Sequence, residues 1–157
     1  MSAYERRFET EQLVPAPLKD VFAFFSLAEN LERITPPFLR FKILTSLPIE
    51  MRQGTLIDYQ LRIRGIPVRW RTQIADWNPP YQFVDTQLKG PYTLWHHTHT
   101  FSDAGAAGTL MRDVVRYQAP LGPLGLLVSP FFVRPEIERI FAFRRQAIAG
   151  FFPGPNA

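Results

Sequence analysis

A chain of 157 residues, 46% of them apolar and 14% aromatic but only 20% charged, has the length of one domain and the composition of a chain that buries a large aromatic interior. That balance excludes a disordered polymer, and the absence of cysteine excludes a disulfide framework, a thiolate nucleophile and a cysteine-based zinc site. The net charge of +4 is spread over "RFK", "RIR", "RWR", "RDVVR" and "FRRQ" with no single basic run, so no nucleic-acid partner is expected.

The opening "MSAYERRFETEQ" is polar and lacks the apolar core of an export signal, and no stretch approaches the roughly 20 apolar residues that span a bilayer. The expectation is one cytoplasmic domain over residues 1–157. "RFETEQLVPAP" alternates and stops at two prolines, which predicts a first strand. "PLKDVFAFFSLAENLERI" follows with Leu18, Val21, Phe22 and Phe25 on one helical face, Pro17 in its first turn and a break near Ser26, so a short helix pair should end before Pro36 and Pro37.

Period two then takes over. "FLRFKILTSL" reads as one strand, and "TLIDYQLRIRG" and "PVRWRTQIADW" as two more around a turn at Gly65, Ile66 and Pro67. Ile57, Tyr59, Leu61 and Ile63 share one face of the first of this pair, and Val68, Trp70, Thr72 and Ile74 one face of the second. Clean alternation of this kind predicts an antiparallel sheet with one wet side. "YQFVDTQL", "YTLWHHTHTFS" and "TLMRDVVRYQAP" continue the meander through turns at Lys89 to Pro91 and in "DAGAAG".

"LGPLGLLVSPFFVRP" is apolar, yet its prolines and glycines argue against one long helix; it is read as a gate, a contact patch or a short tucked helix. "PEIERIFAFRRQAIAGFF" predicts a long final helix with Ile137, Ile140, Phe141, Arg144 and Ile148 as its stripe and Pro135 at its start, and "PGPNA" a frayed tail. The sum is an α+β fold in which the last helix covers the apolar face of a curved sheet.

This order, with "LVPAPLKDVFAFF", "GPYTLWHHTHTF", "GTLMRDVVRYQAPLGPLG" and the terminal helix, resembles the START/polyketide-cyclase (SRPBCC) superfamily, whose helix-grip fold wraps about seven antiparallel strands around a long C-terminal helix. The likeness is strongest to a bacterial branch with a W-x-H-x-H-x-F strand, matched by Trp95, His97, His99 and Phe101. The resemblance implies a cavity between sheet and helix for a hydrophobic or aromatic small molecule. Tyr59, Trp70, Trp95, Met111, Val115, Tyr117 and Phe141 are expected to enclose its apolar body.

All three histidines lie at 96, 97 and 99. Residues two apart on a strand share a face, so His97 and His99 should point inward with Trp95 and Phe101, and His96 outward. On the next strand Arg112 and Arg116 belong in water, which turns Asp113 inward. Loop length places His97 opposite Asp113 and His99 opposite Met111. Asp85 joins them if the turn before them has an odd number of residues.

Three readings follow. The preferred one is a polar patch of His97, His99, Asp113 and Asp85 that orients a bound lipid, quinone or polyketide-like ligand; a satisfied buried network without a ligand is its plain structural counterpart. A cyclase- or dehydratase-like enzyme with His97 and Asp113 as catalytic acid/base pair is the alternative. A metal would need Asp113 or Asp85 as third ligand beside His97 and His99; H-x-H alone is a weak signal, and neither metal nor cofactor is expected. A module that meets a membrane or partner through residues 121–135 is a further alternative, although membrane contact is not required. The oligomeric state is left open.

Overall fold

The computed structural model describes residues 2–155; the last two residues of the tail expected to fray lie outside it. Seven antiparallel strands form one sheet: β1 (Arg6–Val14), β2 (Lys42–Ile43), β3 (Leu56–Ile63), β4 (Ile66–Asn78), β5 (Gln82–Lys89), β6 (Leu94–Asp103) and β7 (Thr109–Gln118). Their order is β1-β7-β6-β5-β4-β3-β2, so the chain closes its meander by laying the first strand beside the last. α1 (Leu18–Phe25) and α2 (Glu29–Arg33) follow β1, and α3 (Pro123–Val128) and α4 (Arg134–Phe151) end the chain. This is the α+β helix-grip architecture expected.

The sheet bends where β4 departs from regular pairing. Its register against β5 shifts between Arg71 and Thr72 and again between Ile74 and Asp76, and such bulges bend a strand and raise its twist. The concave face receives α4, whose Ile137, Phe141, Arg144 and Ile148 are buried. Val14, Val21, Phe22, Phe25, Phe83, Phe101, Met111 and Ile148 form the core at the α1 end. Phe8, Val115, Tyr117, Ile137 and Phe141 pack between the other end of α4 and the sheet.

Four details depart from expectation. The strand expected over 38–47 shrinks to Lys42–Ile43, because Pro37–Leu39 forms a 3-10 turn and Arg40 takes a left-handed conformation, φ 47°. The β3–β4 turn is the pair Arg64 and Gly65, both at positive φ as a tight hairpin of matching twist requires, while Ile66 and Pro67 already belong to β4.

The third concerns the β6–β7 register. His99 lies opposite Asp113, His97 opposite Val115 and Phe101 opposite Met111, a slip of two residues from expectation. Ser102 and Asp103 remain in β6, and the turn is the five residues between Asp103 and Thr109. Gly108 makes this turn feasible, with φ 110° and a Cα so near β1 that a Cβ would stand 2.2 Å from the Val14 carbonyl oxygen.

The fourth is helical continuity. α3, a π-helical turn over Ser129–Val133 and α4 succeed one another directly, in spite of three prolines. Pro123 falls in the first turn of α3, where the missing N–H has no intrahelical partner to lose, and Pro130 and Pro135 fall where the helix changes type, at the start of the π turn and of α4. No helix of the described residues is long and apolar enough to cross a membrane.

Candidate functional site

Between the concave face and α4 lies a cavity of about 190 Å³. Ile57, Tyr59, Leu61 and Ile63 of β3 and Trp70, Thr72 and Ile74 of β4 form one wall, by the alternation read in the sequence. Trp95, His97 and His99 of β6, Phe83 and Asp85 of β5, and Ile137, Ile140, Phe141 and Arg144 of α4 complete much of the rest. The aromatic wall is continuous: Tyr59 stacks on Trp70 at 5.9 Å, Trp70 meets Trp95 edge-on at 5.4 Å, and Tyr92 packs on Trp95 at 5.0 Å.

Of the residues expected to line the cavity, Tyr59, Trp70, Asp85, Trp95, His97, His99 and Phe141 do so. Met111, Val115 and Tyr117 are buried in the core beside β1 and α4 and are not part of the wall. Asp113 stands behind the two histidines. His96 points to the other face, opposite Arg116.

The polar end of the cavity is an ionic cluster. Asp113 Oδ1 lies 2.8 Å from His97 Nε2 and 2.9 Å from His99 Nδ1. Asp85, opposite His97 in the β5–β6 register, accepts from His99 Nε2 at 2.7 Å. Arg144 approaches from α4, with Nη2 3.9 Å from Asp113 Oδ1. His97, His99, Asp113 and Arg144 are each more than nine-tenths buried.

The charges balance only one way. Both nitrogens of His99 face carboxylates, so although burial opposes its charge, Asp113 and Asp85 together raise its pKa. The 2.9 Å contact to Asp113 also outweighs the longer 3.5 Å approach of Arg144 Nη2 to the same His99 Nδ1. His97 differs: burial, then repulsion from the His99 charge, lowers its pKa despite the bond to Asp113. Burial also opposes ionisation of the carboxyls, yet Arg144 and the histidines hold Asp113 well below its ordinary value, and the histidines hold Asp85 lower as well. Two anions, Asp85 and Asp113, thus face two cations, His99 and Arg144, with a neutral His97 beside them.

Neutral His97 donates Nε2–H to Asp113, which leaves Nδ1 as an acceptor. Its nearest carboxylate oxygen, Asp85 Oδ2, is 3.7 Å away, beyond hydrogen-bond range. One ligand atom from each of Asp85, His97 and His99 lies within 4.8 Å of the other two, a grouping that could hold a metal ion. The Arg144 guanidinium against the same cluster opposes a further cation there.

Arg144 and Tyr92 are among the wall residues that strand alternation does not mark. Arg144 was legible as a charged member of an apolar helical stripe, a position that signals a buried partner. Tyr92 sits in the β5–β6 turn, held where the Gln87 side chain bonds its backbone N–H and C=O, and no period marks it.

The chain has the helix-grip fold, which it shares with several solved structures. An aromatase/cyclase, Zhui, from Streptomyces sp. R1128 superposes with a TM-score of 0.73 at 18% identity, over 93% of this chain and 92% of that one. Ara h 8.0201 gives 0.66 at 16% identity, over 94% and 97%. Ginseng major latex-like protein 151 from Panax ginseng gives 0.65 at 10% identity, over 96% and 99%. No protein-family model and no curated protein matches the sequence.

Proposed function

We propose that this protein binds a hydrophobic or aromatic small molecule in the cavity between sheet and α4. The observation that carries the reading is an aromatic chamber with one polar end, where His97 offers an uncommitted ring nitrogen. That arrangement suits a ligand with an apolar body and a hydroxyl, which would donate to His97 Nδ1 while Asp113 holds the ring in place. At about 190 Å³ the cavity is comparable with the roughly 150 Å³ apolar cavity that takes up benzene, so a single ring or short chain fits first. A lipid, quinone or polyketide-like ligand requires wall side chains to yield.

Native mass spectrometry of the gently purified protein, followed by organic extraction, tests this. A retained aromatic or lipid-like molecule that is lost from His97→Ala and from a cavity-filling Ile140→Trp is the expected result. Failure of the wild type to retain or bind any member of a panel of hydroxylated aromatics, quinones and fatty acids would sink the reading.

A second reading is favoured by the His97–Asp113 bond and by the aromatase/cyclase among the structural neighbours. Neutral His97 would take a proton from the substrate at Nδ1 and return it to a departing oxygen, as a cyclase or dehydratase requires, and Asp113 would steady the transient imidazolium. His97→Asn should then abolish turnover of a polyketide-like substrate and leave its binding largely intact; activity in that variant would remove His97 from the chemistry.

A further inference from the structure

Helix α3 and the π turn after it are amphipathic in the reverse sense. Their buried residues are small, Gly125 and Ser129. Their large residues face water: Leu121 is 73% exposed, Leu124 62%, Leu127 67% and Phe131 73%. Leu124, Leu127, Val128 and Phe131 recur at helical spacing, so these side chains form one contiguous apolar face. Nothing in the packing of the domain requires it, since α4 and the sheet bury their own apolar faces against each other.

The rim of this face is basic. Arg64, at the β3–β4 hairpin tip, lies over the Phe132 ring at 4.9 Å, which sets the hairpin beside the helix. Ile66, 66% exposed on the same hairpin, extends the apolar surface. Arg62 and Arg69 share the outer side of that hairpin. No ion pair among the described residues engages Arg62, Arg64 or Arg69, whereas Arg7, Arg71, Arg112, Arg116 and Arg134 all have carboxylate partners. From Val114 to Pro135 the sequence contains no Asp or Glu. A greasy ridge beside arginines that have no carboxylate partner complements an anionic lipid surface, where apolar side chains enter the headgroup boundary and cations meet phosphate and carboxylate.

We infer that the face of residues 121–132, with Arg62, Arg64 and Arg69 as its rim, docks on a membrane rich in anionic lipid. Docking there sets the hairpin end of the cavity toward the bilayer, because Ile63 lines the cavity and Arg64, the next residue, touches Phe132. The docking itself does not depend on the ligand reading, and vesicles report it without any ligand.

Flotation with phosphatidylcholine vesicles carrying about 30 mol% phosphatidylserine provides the test, against vesicles of phosphatidylcholine alone. Binding to the anionic vesicles alone, weakened by salt, is expected. Arg62→Gln with Arg64→Gln should weaken it about thirtyfold, from the loss of two surface cations. Leu124→Ser, Leu127→Ser and Phe131→Ser together should abolish it while circular dichroism stays unchanged, because these side chains are exposed. Absence of flotation at any anionic content, or flotation indifferent to the triple substitution, overturns the proposal. So does light scattering that shows a dimer split by the triple substitution with no vesicle capture, which would make the face a self-interface.

Discussion

The rings of His97 and His99 lie with centroids 3.7 Å apart, tilted by 35°, and one carboxylate oxygen of Asp113 touches both. Two imidazolium charges at that separation in a buried site repel strongly, so the pair holds one proton in excess of neutrality and places it on His99. By NMR, the two rings should titrate on opposite sides of the ordinary imidazole value of 6.5, His99 above and His97 below. Signals assigned with His97→Gln and His99→Gln check this; two rings moving together through that value would contradict the charge assignment.

The same shifts set a pH optimum of stability. The folded pKa of His97 is lowered, so its contribution is complete above 6.5 and is lost as pH falls below it. The folded pKa of His99 is raised, so its contribution is complete below 6.5 and is lost as pH rises through the folded value. Stability from these two groups should therefore peak near 6.5 and decline on both sides. The carboxyls add a second acid decline, because the lowered pKa values of Asp85 and Asp113 give stability that disappears below the ordinary 3.8. Urea midpoints across pH measure it: His99→Gln should remove the alkaline decline, and retention of that decline would assign it elsewhere.

Asp113 neutralises more than one partner, so its removal leaves uncompensated buried cations. Asp113→Ala should destabilise the fold by about 3–5 kcal/mol in urea denaturation, the usual cost of breaking a buried ion pair from one side. Arg112→Ala, next along β7 but on the wet face, should fall within the scatter of surface substitutions. Equal losses for the two would mean that the cluster contributes no more than the outer ion pairs.

Two glycines separate strain from space. Gly108→Ala forces a Cβ against the Val14 carbonyl at positive φ and should cost about 1–3 kcal/mol or more. Gly150→Ala, near the end of α4 with nothing within 4 Å of the added carbon, should be neutral or stabilise by up to about 1 kcal/mol. Thermal denaturation compares the two, and a tolerated Gly108→Ala would show that the β6–β7 turn can move away from β1.

Much of this molecule follows from local pattern. Alternation in "LIDYQLRI" and "VRWRTQI" assigned Tyr59 and Trp70 to the inner face, and the same rule separated His97 and His99 from His96. These are consequences of a two-residue period that every strand must obey, whatever surrounds it. Arg144, the charged residue within the stripe of α4, was visible by the helical period instead.

Distances between elements were not in the pattern. A two-residue slip in β6–β7 moved Asp113 from opposite His97 to opposite His99, and Asp113 still bonds His97 because a diagonal neighbour on the same face remains in reach. The β5–β6 register, whose last pair Thr86 and His96 leaves nine residues between them, sets Asp85 opposite His97 and within a hydrogen bond of His99. Where Met111, Val115 and Tyr117 stand was likewise settled by the closure of β1 onto β7, which lays that part of the sheet against core packing and leaves the cavity nearer β3 to β6. A two-residue period tells which face a side chain takes, but sheet curvature and the seating of α4 decide whether that face meets a neighbour or an opening, since those depend on bulges and contacts far apart in the chain.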